Sequence, residues 1–126
     1  MTKSKMDLLK GTLDMLILKT LSSGSLHGYA IARMIEQQTD DALRIEEGSL
    51  YPALFRMNKR GLIKSEWGVT ETKRRAKFYK LTKKGRKQLD DDESNWQRFA
   101  VAVASVLDGS PDLPKANRGE SVLDNR

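Results

Sequence analysis

Residues 46–81 read EEGSLYPALFRMNKRGLIKSEWGVTETKRRAKFYKL, and the fold turns on this stretch. Leu50, Leu54 and Met57 recur at i, i+4 and i+7, which gives a helix with one apolar face. Gly48, Ser49, Pro52, Arg56 and Lys59 fall on the opposite face. Ser49 suits an N-cap. Pro52 then sits in the first turn, where a missing amide costs nothing. Gly61 suits a left-handed stop. A leading turn of small residues can bring backbone amides and Tyr51 close to phosphates or base edges. The plain alternative is a well-capped helix start and nothing more.

Residues 62–69 and 77–82 have strand composition, and residues 70–76 link them. The linker and its exit hold Lys73, Arg74, Arg75 and Lys77 against Glu71. Like charges this dense repel in the free protein, and phosphate would neutralise them. A solvated charged turn is the other reading. One helix to enter a groove and one charged hairpin to grip the flanking backbone outline a winged helix-turn-helix: mainly α, with a small antiparallel β wing.

The chain has 126 residues, enough for one domain of ordinary size. It has no cysteine and one histidine, which excludes disulfides, thiol catalysis and multi-histidine metal sites. Net charge is +6 and the isoelectric point is near 9.7. The charge is uneven: between Arg56 and Lys87, thirteen cations against two acids leave +11. A focused basic patch implies a polyanionic partner. No run of about 18 apolar residues occurs, and the N-terminus lacks a signal-peptide core, so a cytoplasmic protein without membrane contact is expected. No phosphate-binding glycine loop, HExxH or GxSxG appears. Neither enzymatic activity nor a cofactor is expected.

Residues 6–22 read as a first helix. Leu9, Leu13, Leu16, Ile17 and Leu21 form a core stripe, and Leu8, Gly11, Met15 and Leu18 form a second. That second stripe faces either a partner subunit or deeper burial in its own chain. Residues 22–25 break the pattern, and residues 27–38 read as a second helix with His27 at its start, a cap or packing residue. A connector follows, in which residues 43–45 are expected to add a strand to the wing. Thr82 is the expected N-cap of a last helix running to Leu107. In it Leu89, Trp96, Phe99, Val103 and Val106 recur at a/d spacing, too short for a free coiled coil but long enough to pack on a partner. Residues 109–126 are polar and read as a disordered tail.

Four motifs also stand in order: Leu26-His27-Gly28-Tyr29-Ala30-Ile31, Gly48-Ser49-Leu50-Tyr51-Pro52-Ala53-Leu54, Arg60-Gly61-Leu62-Ile63, and Tyr79-Lys80-Leu81-Thr82 with Gly85. Together they resemble the DNA-binding domain of the PadR family of bacterial transcriptional regulators, over about residues 5–107. Phe55 departs from that pattern, since family members often carry His or a polar residue there. The resemblance implies that the start of the second helix, with His27 and Tyr29, lies near the DNA backbone. It implies dimerisation through the last helix, and a small phenolic or hydrophobic effector for which Trp96 and Phe99 are the candidate stacking pair. Trp96 as simple core is the alternative.

The expected organisation is a winged-helix domain at 1–81, a dimerisation helix at 82–108 and the tail. The expected function is a homodimeric, sequence-specific regulator of double-stranded DNA, a repressor on an inverted repeat. Ser49, Tyr51, Pro52, Arg56 and Lys59 are expected at the major groove, and Lys73, Arg74, Arg75 and Lys77 on the backbone or minor groove. Leu8, Met15, Leu18, Leu89, Trp96, Phe99, Val103 and Val106 are the expected self-contacts. An architectural nucleic-acid binder and a winged-helix protein adaptor are the rival classes.

Overall fold

The computed structural model describes residues 12–109. Along them run α1 (Leu13–Leu21), β1 (Leu26–His27), α2 (Gly28–Gln38), α3 (Glu47–Lys59), β2 (Ile63–Val69), β3 (Arg75–Leu81) and α4 (Lys83–Asp108). The three strands form one antiparallel sheet in the order β1-β3-β2.

The helices bury the faces their spacing marks. Ile17, Leu18 and Leu21 of α1, Ile31 and Ile35 of α2, and Leu50, Ala53, Leu54 and Met57 of α3 meet in one core with Leu62, Ile63, Tyr79 and Leu89. Thr20, the buried polar residue of α1, donates its hydroxyl to the Leu16 carbonyl at 2.7 Å and so enters the core satisfied. Leu18 is wholly buried and Met15 packs against the core from its edge. Leu18 and Leu89 are therefore used inside their own chain and are closed to a partner. Leu8 lies outside the described residues, as do Gly11 and residues 110–126.

The third strand is not where the sequence suggests it. Residues 43–45 form a loop, and β1 takes the sheet edge by pairing Leu26 with Tyr79 and His27 with Phe78. The connector is held otherwise. Asp40 and Asp41 take left-handed backbone, and the Ile45 amide donates to the Glu36 carboxylate at 3.0 Å while its side chain is buried.

Helix α3 also starts earlier than its capping signal. Glu46 holds the N-cap position without a side-chain cap, and its carbonyl accepts from Ser49 and Leu50 N–H. Ser49 is therefore inside the helix, and Pro52 is interior. Pro52 leaves the Gly48 carbonyl without its usual donor, a deficit water can meet because both residues are exposed. The other end follows expectation. Gly61 has φ +78°, its N–H donates to the Asn58 carbonyl, and Leu62 N–H donates to Met57, which is a complete Schellman stop.

Thr82 joins this stop to α4. Its hydroxyl donates to the Gly61 carbonyl at 2.7 Å, with the Leu62 carbonyl at 3.0 Å, and accepts from Gly85 N–H at 2.9 Å. A Cβ on Gly85 would lie 2.0 Å from the Leu62 oxygen, so only glycine lets α4 start there. Lys84 reaches back to the Arg60 carbonyl at 2.8 Å and serves the C-terminus of α3. The compact unit built on the sheet extends through Asp92, and a second unit begins at Glu93 within α4.

Candidate nucleic-acid interface

The wing tip is a tight turn. Lys73 N–H donates to Thr70 O at 2.9 Å, Thr70 N–H donates to Arg74 O at 2.8 Å, and the Thr70 hydroxyl accepts from Arg74 N–H at 3.1 Å. Lys73 has φ +63°, a conformation that costs a non-glycine residue about 1 kcal/mol. A glycine would remove that cost and the charge with it.

Arg75 stands on β3 rather than in the linker, on the same strand as Lys77. The register sets Val69 opposite Arg75, Trp67 opposite Lys77 and Ser65 opposite Tyr79, so these six share one face of the sheet. The Arg75 guanidinium lies 4.6 Å from the Trp67 ring centroid and the Lys77 ammonium 5.7 Å from it. Such contacts are worth about 0.5–1 kcal/mol each at exposed sites. They hold two flexible cations over one aromatic surface. Trp67 is 58% exposed, and no local sequence signal marks it. Its alternation with Val69, Arg75 and Lys77 is a usable signal only once the hairpin register is known.

Between this wing and the helices lies a cleft of about 580 Å³. His27, Gly28 and Tyr29 line it at the start of α2, Tyr51 from α3, and Arg74, Arg75 and Lys77 from the wing, with Tyr79 at its base. His27 occupies the N-cap position of α2 but makes no capping hydrogen bond; its ring meets Phe78 edge-on at 5.3 Å. The first turn of α2 holds no acid, and on the wing side Arg74, Arg75 and Lys77 outnumber Glu71, which also lines the cleft, so the amide dipoles and the net wing charge share one sign. Helix α3 differs, because Glu46 and Glu47 occupy its start and disfavour phosphate there.

Tyr51 spans the two elements. Its ring lies against Gly28, and it stands close enough to Tyr79 for the two phenols to influence each other. Burial, with Glu47 nearby, raises the Tyr51 pKa above its ordinary value. Burial, with Tyr51 nearby, does the same for Tyr79. Both phenols are neutral hydrogen-bond donors at physiological pH.

On the outer face of α3, Tyr51, Pro52, Phe55 and Lys59 are exposed, and Ser49 is half-buried. Arg56 is drawn aside: its Nη2 lies 3.0 Å from Asp14 Oδ1 on α1. That partly exposed pair is worth about 1 kcal/mol or less, so Arg56 is tethered rather than locked. Phe55, which sequence reasoning left out of the site, is 68% exposed with Lys59 Nζ 5.7 Å from its ring centroid.

The sequence profile of the PadR-like transcriptional regulator family matches residues 17–91, well over half of the chain. This chain belongs to that family. The PadR-like match runs from α1 into the first turns of α4 and takes in the whole cleft. Among solved structures, a transcriptional regulator from Clostridium thermocellum is 34% identical, covers 79% of this chain and 96% of its own, and superposes with a TM-score of 0.72. A PadR-like transcriptional regulator from Bacillus cereus is 30% identical, covers 82% and 99%, and also gives 0.72. Protein X of Lysinibacillus sphaericus is 25% identical over 103 residues, which is 82% of this chain and 94% of that one. The PadR-like assignment makes the chain a DNA-binding transcriptional regulator with a winged helix-turn-helix.

Among the described residues, no three His, Asp or Glu side chains gather as metal ligands, and no helix is long and apolar enough to cross a membrane. In the second unit, Trp96 and Phe99 lie 5.8 Å apart and tilted at 44°. Both are exposed, as are Val103 and Val106.

Proposed function

We propose that the chain is a homodimeric, sequence-specific repressor that works in the bacterial cytoplasm on an inverted-repeat operator. The observation that carries this reading is the cationic cleft, in which one wall is the start of α2, one is Tyr51 of α3 and one is the wing. A phosphate backbone seated in the cleft brings the exposed face of α3 to the major groove, with Tyr51, Pro52 and Lys59 forward. Lys73 and Arg74 at the tip, and Arg75 and Lys77 on β3, hold the flanking backbone or the minor groove. The strained backbone at Lys73 supports this, because a cation kept at a cost implies a use for the charge.

Self-association rests on the far half of α4. Trp96, Phe99, Val103 and Val106 leave an apolar stripe in water, and a second copy is the partner that two-fold symmetry suits. Half-sites then fall about one helical turn, roughly 10 bp, apart. A planar phenolic or hydrophobic effector would stack on Trp96 and Phe99 and shift the spacing of the two reading heads.

The deciding experiment is selection of duplexes from a random library, followed by competition with random DNA at graded salt. A specific regulator enriches an inverted repeat and outcompetes random duplex by about a thousandfold or more. Equal affinity for all sequences would assign the architectural role, and negligible affinity the adaptor role. Sedimentation of the same samples tests the dimer, with Phe99→Glu expected to yield monomer.

A further inference from the structure

We propose that Phe55 reads sequence, by placing its ring against the C5 methyl group of a thymine in the major groove. This rests on the reading that α3 enters that groove, and it assigns a base class to one position.

Phe55 is 68% exposed, more than Tyr51 one turn earlier at 44%. The inward positions of α3 are filled by Leu50, Ala53, Leu54 and Met57, so Phe55 has no place in the core. A large ring left in water forgoes the burial that stabilises its neighbours. Arg56, the side chain of this helix best suited to a guanine edge, is turned to Asp14. With Arg56 tethered there, exposed Tyr51, Pro52 and Phe55 leave the centre of the outer face largely apolar. An apolar ring offers no hydrogen bond, and among the four bases thymine alone presents a methyl group in the major groove. The surroundings favour DNA over an apolar protein surface. Lys59 lies over the ring, its Nζ 5.7 Å from the centroid. Apolar contact at the ring and phosphate attraction around it are the two components of a groove complex.

The test uses the full chain and a duplex enriched by selection. Each thymine of one half-site is replaced in turn by deoxyuridine, which removes only the methyl group, and affinity is read by fluorescence anisotropy. Loss of roughly three- to tenfold is expected at one thymine, the scale of one buried methyl. Phe55→Ala should bind the thymine and uracil duplexes alike, and Phe55→Leu should retain part of the preference. Thermal melting of both variants accompanies the titrations, and an exposed position predicts unchanged midpoints. The assignment is overturned if no thymine responds, or if Phe55→Ala keeps the full loss. An enriched duplex with indifferent methyl groups removes this assignment and leaves sequence-specific binding standing. Selection that enriches nothing removes both.

Discussion

Tyr51 occupies the space that any side chain on residue 28 would need. A β-carbon on Gly28 would lie 2.7 Å from the phenol oxygen and 2.8 Å from Cε1. The start of α2 and the outer face of α3 are thereby fitted to each other at the mouth of the cleft. Gly28→Ala should push the exposed Tyr51 ring aside and cost little stability, about 1 kcal/mol or less. It should weaken DNA binding about as much as Tyr51→Ala does. Melting curves and anisotropy titrations on the two variants check both halves of this expectation.

Gly85 makes the opposite case, because its neighbour cannot move. A β-carbon there meets the Leu62 carbonyl oxygen, a backbone atom, at 2.0 Å. Gly85→Ala should destabilise the chain by about 3 kcal/mol or more, at the upper end of overpacking costs. Thr82→Ala removes the cap of α4 and the bond to Gly61, and should cost about 1–2 kcal/mol. Denaturant midpoints rank the two, with Gly85→Ala the lower.

Much of this architecture is legible in the residues, and most of the exceptions share a cause. Gly61, Thr82 and the apolar faces of α1, α2 and α3 act through local chemistry, so spacing alone finds them. Ser49 misleads because a capping residue is only a signal, and here the Glu46 carbonyl takes the first helical bonds three residues upstream. Residues 43–45 mislead because strand composition says nothing about which edge is free. Glu36 claims the Ile45 amide, and β1 reaches Tyr79 first. Arg56 stands on the outer face as a helical wheel shows, but its ion pair with Asp14, 42 residues away, is invisible to that wheel. Trp67 is silent until the register sets it beside Lys77. Ser49 aside, a contact outside the local pattern decided what the pattern could not.

The wing should show two separable electrostatic roles. Arg74→Ala removes one tip cation, and its effect should be a uniform loss on all duplexes with a salt slope smaller by about 0.9 if it meets one phosphate. Arg75→Ala also uncovers Trp67. Its salt slope should fall similarly, and Trp67 emission in the free protein should change as well, since the guanidinium sits 4.6 Å from the ring centroid. Emission is read in a Trp96→Phe background. An unchanged spectrum would mean that the two side chains do not associate in solution.

Tyr51 and Tyr79 predict a defined behaviour in alkali. Both pKa values are raised above the ordinary phenol value of about 10, chiefly by burial. The folded state therefore favours the neutral phenols. Their contribution to stability is complete below the unfolded pKa and is lost as pH climbs through the folded values. Ultraviolet titration of tyrosinate should show late-ionising phenols, and Tyr51→Phe should remove one of them. It should also bring the Tyr79 step to lower pH, since the Tyr51 charge helps to hold Tyr79 up. Stability should decline from about pH 10 upward.

The seam formed by Gly61, Leu62, Thr82 and Gly85 clamps the hairpin at its root, while its tip from Thr70 to Arg74 is closed by its own bonds alone. Natural or engineered changes in hairpin length are therefore tolerable only at the tip. A residue inserted there lengthens the reach of the wing. One inserted at the root would slip β3 against β2, turn Tyr79 out of the core and Arg75 away from the cleft, and so cost folding and recognition in a single step.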